Sequence, residues 1–198
     1  MKCSWSRPTS RRNVQELVAY AKARPGKLNF GPMGYGNLTH LTAELFKLQT
    51  GTDFVHVPYK GSPEAVAGIV AGEVHILFGE VAGLLPLVRA GKIRALGVAS
   101  ATRNALAPDL PTMIEGGIPD FVALTFTGVV APAGTSATIV AKLNAAINES
   151  LKSADIVAAL GKLGAEVRTG SAQEFAAFIA KERAMWIDVV TRAGIKAE

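Results

Sequence analysis

The sequence predicts an α/β protein built on a mainly parallel sheet, and three observations support this prediction. Short apolar runs alternate with segments of helical periodicity between residues 28 and 99. The runs are continuously apolar, as expected for strands that are buried on both faces. Apolar residues make up 49% of the 198 residues and charged residues 19%, which excludes a disordered chain and suffices for a substantial core.

Helix and strand signals follow one another through the first half of the chain. Asn37 has the position of an N-cap for a helix whose leucines recur at helical spacing, and Gly51 ends that helix. Ser62, Pro63 and Glu64 combine a cap, a first-turn proline and an early acid at the start of another helix. Helices are predicted over residues 13–23, 38–51, 62–72 and 81–90, and strands over residues 28–30, 54–57, 74–78 and 93–99.

The last third of the chain is rich in helices. A loop over residues 100–119, with a short helical piece at 112–115, leads into an extended segment over 121–130. Helices follow over 137–151, 155–163 and 172–193, with a brief strand at 166–168. Ser171 and Glu174 have capping-box spacing, and Gly194 follows the last helix. Because one strand cannot easily form a layered domain, we expect these helices to cover a sheet that lies elsewhere.

Charge and hydropathy argue against two kinds of partner. The net charge is +5, but Lys2, Arg7, Arg11 and Arg12 lie in the first twelve residues, which contain no acid. The rest has 17 basic and 16 acidic residues without aromatic interleaving on one face, so nucleic acid is not an expected partner. The apolar runs are far shorter than the roughly 20 residues of a membrane-spanning helix. Cys3, the single cysteine, allows no intrachain disulfide and is expected outside the folded part.

A glycine-rich loop at residues 31–36 is the most informative local feature. It joins a predicted strand to a helix N-terminus, where backbone N–H groups and the helix dipole both attract an anion. Gly31 and Gly36 have P-loop spacing, but Asn37 and Leu38 stand at the lysine and Ser/Thr positions. Thr39 occupies the third glycine position of a dinucleotide fingerprint. ATP hydrolysis and dinucleotide binding are therefore poor interpretations, while an anion site and a ligand-free tight connection both remain open.

The histidines and the possible nucleophilic side chains are weaker indications of function than this loop. His40 and Glu44 share a helix face, which suits either an acid–base pair or an ordinary polar surface. His56 and His75 lie in apolar strands, where a hydrogen-bonded core histidine is the common case. The histidines lack the short spacing of a metal site and no serine stands in a nucleophile elbow, so no metal, cofactor or nucleophilic hydrolase is predicted.

Tyr59, Lys60 and Gly61 follow a strand at the edge where open α/β sheets bind ligands. Tyr59 can stack or hydrogen-bond, and Lys60 can attract a carboxylate. A solvated lysine in a turn is the simpler explanation for this loop alone. Phe126 and Trp186 are interpreted as packing residues.

An ordered set of segments runs from about Asn13 to the end of the chain. The segments are Ala21-Lys22 with Pro25-Gly26-Lys27, Gly34-Tyr35-Gly36-Asn37-Leu38-Thr39-His40-Leu41, His56-Val57-Pro58-Tyr59-Lys60-Gly61, Ala90-Gly91-Lys92-Ile93-Arg94-Ala95-Leu96, Pro108-Asp109-Leu110-Pro111-Thr112 with Glu115 and Gly117, Ala131-Pro132-Ala133-Gly134-Thr135, Trp186, and Ala193-Gly194-Ile195-Lys196. Each segment is a weak signal by itself, whereas the ordered set is specific. Together they resemble the substrate-binding proteins of tripartite tricarboxylate transporters, the Bug family.

The resemblance implies a type II periplasmic-binding-protein-like fold, a two-lobed Venus flytrap that captures a small carboxylate and delivers it to membrane permease subunits without chemistry. The ligand would be a di- or tricarboxylate, or a related acid, held largely by backbone amides at loop–helix junctions. Residues 125–128 would lie in a crossover between the lobes. Carried over to this chain, the substrate-binding residues are Gly34, Tyr35, Gly36, Asn37, Leu38, Thr39, His40, Tyr59, Lys60 and Gly61.

The resemblance also implies a division of the chain, because the family's first-lobe segment has no counterpart here. Residues 1–12 would be an unmatched basic N-terminus, residues 13–126 a nearly complete second lobe with a parallel or mixed sheet, and residues 127–198 the crossover and C-terminal helices of an incomplete first lobe. Two milder departures are Ser136 in place of a proline and Phe126 in place of a tryptophan.

In such a truncated chain, the apolar faces of Ile139, Leu143 and Ile147 would be exposed, repacked or paired with a second copy, and ligand affinity would suffer. The family is periplasmic, but the sequence contains no signal peptide, so the chain as written would stay in the cytoplasm.

Two alternative functions remain open from the residues. One is a small α/β enzyme that binds a phosphorylated substrate at Gly31–Gly36, with His40 and Glu44 as an acid–base pair. The other is a cytosolic metabolite-sensing domain, which the lack of a leader would fit, although the sequence shows no output module.

Overall fold

The computed structural model describes residues 2–6 and 12–195 and gives side-chain positions for residues 12–195. The described strands are β1 (Lys2–Ser6), β2 (Leu28–Phe30), β3 (Phe54–His56), β4 (Ile76–Glu80) and β5 (Arg94–Val98). The described helices are α1 (Val14–Lys22), α2 (Leu38–Thr50), α3 (Ser62–Ala71), α4 (Val81–Arg89), α5 (Ala137–Ser150), α6 (Ala154–Lys162) and α7 (Ala172–Arg192). Each of the seven predicted helices is confirmed, as are the four strands predicted before residue 100.

The five strands form one mixed sheet in the order β3-β2-β4-β1-β5. β2 pairs in parallel with β3 and β4, whereas β1 pairs antiparallel with β4 and β5. Parallel neighbours have their carboxyl ends at the same edge of a sheet. Since α2, α3 and α4 follow β2, β3 and β4 in the chain, three helix N-termini come to this edge.

The position of β1 shows that one expectation was wrong. Residues 2–6 do not lie outside the folded part, because Cys3 pairs with Gly79 of β4 and with Val98 of β5. β1 thereby supplies hydrogen-bond partners to two strands, as buried peptide groups require. The strand alternates polar and apolar residues, but its neighbours in the chain are basic, so it was not predicted to fold. Its partner strands lie far along the chain, where a local pattern cannot reveal them.

Both faces of β4 are buried, which explains its continuously apolar sequence. Leu77 packs into a buried cluster formed with residues of α3 and α4. Phe78 packs with Phe46 of α2 and with Phe121, at ring-centroid distances of 5.9 and 6.3 Å. Because successive side chains of a strand point to opposite faces, helices must cover the sheet on both sides.

Two short predicted elements were wrong. Residues 112–115 form a turn, in which Thr112 N–H donates to Glu115 Oε2 at 2.7 Å and Glu115 N–H donates to Thr112 Oγ1 at 3.0 Å. Residues 166–168 are irregular, because a strand forms only beside a partner strand and none of the described strands pairs with them. The capping box is confirmed, since Ser171 N–H donates to Glu174 Oε2 at 2.7 Å and Glu174 N–H donates to Ser171 Oγ at 3.1 Å.

The described chain divides into two compact units. The first unit contains the residues up to Thr125 together with those from Val189 onward, and the second unit is Phe126–Asp188. The first unit contains the sheet and helices α1 to α4.

The second unit has an aromatic cluster but no fully buried residue. Phe126 contacts Phe178 and Phe175, with ring centroids 4.9 and 6.2 Å apart. Ile139 is 51% exposed and Leu143 is 47% exposed, so α5 has an apolar face open to solvent in this chain. Within the described residues, none of the helices combines the length and the apolar character needed to cross a bilayer.

Candidate functional site

Two loops at the carboxyl edge of the sheet contain most of the predicted binding residues. Residues 31–37 connect β2 to α2, and residues 57–61 connect β3 to α3. Val57 N–H donates to the carbonyl of Phe30 at 3.0 Å, and Ser62 Oγ lies 3.2 Å from Met33 Sδ. The parallel pairing of β2 and β3 therefore brings these two loops side by side.

Asn37 organises the first loop and caps α2. Its Oδ1 accepts hydrogen bonds from Thr39 N–H at 2.9 Å, His40 N–H at 3.1 Å and the Thr39 hydroxyl at 2.6 Å. Its Nδ2 donates to the Met33 carbonyl at 2.7 Å, and Met33 N–H donates to Thr39 Oγ1 at 2.8 Å. The N-cap prediction is confirmed, and the N–H groups of Thr39 and His40 are bonded within the chain.

Four backbone N–H groups at this junction donate to no acceptor in the described part of the chain, those of Gly34, Tyr35, Asn37 and Leu38. Gly36 N–H donates to His40 Nδ1 at 3.1 Å. Gly34 and Gly36 have φ angles of 128° and 68°, which residues with a side chain rarely adopt. The two glycines let the backbone turn here, so unbonded N–H groups lie at the positive end of α2, where anions bind.

Four aromatic rings stack beside this loop. The ring centroid of His56 lies 5.2 Å from that of Phe30 and 4.7 Å from that of His40. The Tyr35 ring lies 4.9 Å from His40 and 5.7 Å from His56. Phe30 and His40 are buried, whereas Tyr35 is 48% exposed, so Tyr35 forms the outer end of the stack.

The electrostatics around His40 do not favour acid–base catalysis. Burial, with smaller contributions from His56 and Lys47, lowers the pKa of His40 to about 4, and burial also lowers the pKa of His56. His40 is therefore neutral at neutral pH, which fits its Nδ1 as the acceptor for Gly36. Glu44 lies 3.0 Å from Lys47 Nζ and 3.8 Å from His40 Nε2. A buried neutral histidine beside a carboxylate that is already paired with a lysine is typical of residues that stabilise the fold and not of an acid–base pair.

Tyr59 links the first loop to α3. A Cβ atom at Gly31 would lie 2.8 Å from Tyr59 Cε2, and one at Gly68 of α3 would lie 2.7 Å from Tyr59 Cζ and overlap the hydroxyl. The hydroxyl donates to Glu73 Oε2 at 3.1 Å. Burial and this hydrogen bond raise the pKa of Tyr59, so the hydroxyl remains a donor. The ring is thus packed against two glycines.

Lys60 and Gly61 lie at the N-terminus of α3. Lys60 is exposed, and its N–H donates to Glu64 Oε2 at 3.1 Å. The N-cap of α3 is Gly61 rather than Ser62, and it offers no side-chain cap. The exposed lysine and the N-terminus of α3 attract an anion, and the Glu64 carboxylate in the first turn offsets part of that attraction.

Three residues of this arrangement were not among the predicted binding residues. Met33 meets the second loop, His56 belongs to the aromatic stack although it was assigned to the core, and Glu73 bonds the Tyr59 hydroxyl. A signal for the Tyr59 contact was available, since a glycine within a helix, here Gly68, often marks a close approach. Among the residues whose side chains are described, no three His, Cys, Asp or Glu groups form a metal-binding cluster.

Relatives of known sequence match nearly the whole chain. The chain is 35% identical to the UPF0065 protein in the tcbD-tcbE intergenic region of Pseudomonas sp. strain P51, over 94% of this chain and 56% of that protein. It is 38% identical to the protein BugT of Bordetella pertussis, over 93% of this chain and 56% of that protein. The chain therefore spans little more than half the length of these relatives.

Solved structures define the class of fold. An R. palustris protein solved with adipate is 34% identical and superposes with a TM-score of 0.81, over 98% of this chain and 65% of that one. MatC from Rhodopseudomonas palustris with bound malate is 30% identical, with a TM-score of 0.77 over 96% of this chain and 66% of that one. The periplasmic binding protein BugD, at 26% identity and a TM-score of 0.78, covers 100% of this chain. The fold is that of periplasmic binding proteins, as predicted.

A match over almost the entire chain establishes the family. The model of the tripartite tricarboxylate transporter family receptor matches residues 6–195. The chain belongs to this family, and the resemblance drawn from its ordered segments is confirmed.

Proposed function

We propose that this chain captures a small carboxylate at the carboxyl edge of its sheet, as the periplasmic binding component of a tripartite tricarboxylate transporter. The ligand passes unchanged to membrane permease subunits. Family membership supports the proposal, as do two similar structures, one solved with adipate and the other with malate. Within the site, Gly34–His40 form one wall and Tyr59–Gly61 the other.

The proposal rests on the observation that the N–H groups of Gly34, Tyr35, Asn37 and Leu38 donate to no acceptor among the described residues. A carboxylate has two oxygens that accept several such hydrogen bonds, and the dipole of α2 stabilises its negative charge by about 0.3–1 kcal/mol. Binding through amides avoids the cost of burying an ion pair and lets related acids share the site. Lys60 adds an attraction that salt screens.

Replacing Asn37 with aspartate tests this site directly. Aspartate is as good an N-cap as asparagine, but it places a negative charge beside the unbonded N–H groups and loses the hydrogen bond from Asn37 Nδ2 to the Met33 carbonyl. We expect Asn37→Asp to weaken adipate or succinate binding at least about tenfold in titration calorimetry at low salt. Asn13→Asp is the matched control, because Asn13 Oδ1 caps α1 by accepting Glu16 N–H at 2.8 Å, and its affinity should equal that of the unmodified chain.

Amide NMR of the unmodified chain locates the ligand independently. Adipate should shift the N–H signals of Gly34, Tyr35 and Leu38 more than those of the control cap. Equal affinities in the two aspartate variants, or shifts confined to other segments, would show that the site is elsewhere. If neither adipate nor succinate produces binding heat or any shift, the proposed function is refuted.

A further inference from the structure

Tyr35 is an aromatic side chain that the binding of a simple carboxylate does not require. It lies between Gly34 and Gly36, and its own N–H is one of the unbonded groups of the site. A carboxylate bonded to that N–H is therefore within one side-chain length of the ring. Almost half of the ring surface is open to solvent.

The imidazole rings of His40 and His56 lie against this ring. The planes of Tyr35 and His56 are within 14° of parallel, and His40 contacts the ring at 4.9 Å between centroids. His40 is itself fixed, because it is buried and its Nδ1 accepts the Gly36 N–H. One face of Tyr35 is therefore covered by imidazoles, and a ligand that stacks on the other face pays little for ordering the side chain.

We infer that Tyr35 determines ligand specificity and that the site favours acids whose carboxylate is attached to an aromatic ring. This inference rests on the proposed function. An aromatic ring prefers an offset or edge-to-face partner with its own quadrupole, which a saturated ring lacks. Apolar burial alone would instead favour the saturated ring, which has more hydrogen atoms to remove from water, so the two explanations predict opposite orders of affinity.

The test compares benzoate with cyclohexanecarboxylate, two acids of similar size and equal charge. We expect the unmodified chain to bind benzoate about fivefold more tightly in titration calorimetry. Tyr35→Phe keeps the ring and should keep this ratio, whereas Tyr35→Leu keeps only apolar surface and should lower the ratio to one or below. In NMR spectra, the protons of bound benzoate should move upfield with the unmodified chain and with Tyr35→Phe, but not with Tyr35→Leu.

Tyr20→Leu is the matched control, because Tyr20 belongs to α1, beside Arg24, and to neither of the two loops. Its ratio should equal that of the unmodified chain. A ratio near one in the unmodified chain, or a ratio that survives Tyr35→Leu, overturns the inference and leaves the proposed function standing. A chain that binds none of the acids, adipate included, overturns both.

Discussion

The observed conformation of the binding loop depends on the protonation state of His40. Its Nδ1 accepts the Gly36 N–H, so that nitrogen must carry no proton in the observed loop conformation. Among the described residues, His56, Lys47 and Glu44 interact electrostatically with His40, and Glu44 is already paired with Lys47. A second proton on His40 would therefore break a loop hydrogen bond and place a positive charge in a buried position.

His40 should make the folded protein less stable in acid. The pKa of His40 is near 6.5 in the unfolded chain and about 4 in the folded one, so the unfolded state binds more protons between these values. Stability should be greatest above about pH 6.5 and fall as the pH drops toward 4, with a contribution on the order of 2 kcal/mol from this residue. Urea denaturation at several pH values measures the effect.

His40→Gln provides the control for this prediction, because glutamine does not titrate. The loss of stability in acid should become smaller but not vanish, since the pKa of His56 is lowered as well. An identical pH dependence in His40→Gln and the unmodified chain would contradict the role given to His40.

At the scale of elements, Tyr59 joins a loop, a helix and the turn that follows the helix. Its ring lies against Gly31 before the binding loop and Gly68 within α3, and its hydroxyl reaches Glu73 after α3 ends. Glu73 in turn accepts a hydrogen bond from Asn29 Nδ2 of β2 through its carbonyl, at 3.0 Å. The packing of the Tyr59 ring against these two glycines thus sets the distance between the two loops of the site.

Gly68→Ala tests this contact. In an exposed helix, the change would stabilise the protein by up to about 1 kcal/mol because glycine is a poor helix former. Here the new methyl group overlaps the Tyr59 ring, so we expect a net loss of about 1–2 kcal/mol and weaker adipate binding. Thermal and urea denaturation, together with titration calorimetry, give the two effects.

Two further variants make the result specific. Gly83→Ala in α4 adds a methyl group with nothing within 4 Å, and it should leave stability unchanged or raise it. Adding Tyr59→Ala to Gly68→Ala removes the overlap, so the two changes should be non-additive. Strict additivity would mean that the two side chains do not meet.

At the scale of the whole molecule, the two units differ in how they bury apolar surface. The first unit contains the sheet and a core in which Phe46, Phe78 and Phe121 pack together, whereas no residue of the second unit is fully buried. α2 and α5 make a matched pair for comparison. α2 has 13 residues with eight buried, and α5 has 14 residues with none buried.

Hydrogen exchange should therefore separate these two helices. We expect the amides of α5 to exchange at least about a hundredfold faster than those in the middle of α2, because protection follows burial and tertiary contact. Mass spectrometry of peptides from each helix in the unliganded chain provides the measurement. Comparable protection in α2 and α5 would show that the second unit is stabilised by more than the contacts described.

The candidate site shows where prediction from sequence succeeds and where it stops. Asn37 was identified as an N-cap because capping depends on residues next to it in the chain. That cap occupies the N–H groups of Thr39 and His40, which the family resemblance had placed among the substrate-binding residues. His56 was assigned to the core because its strand is apolar, and the sequence shows no link to the ring of Tyr35, which lies far earlier in the chain.

The sequence alone determined the helices, the parallel strands, the glycine-rich loop and the family, because periodicity, caps, glycine positions and motif order are properties of neighbouring residues. Only the tertiary structure decided that β1 enters the sheet between β4 and β5, that Tyr59 turns toward Glu73, and that Tyr35 forms the exposed end of an aromatic stack. Those outcomes depend on contacts between residues far apart in the chain. Their energies are set by packing and by hydrogen-bond partners, which no local pattern contains.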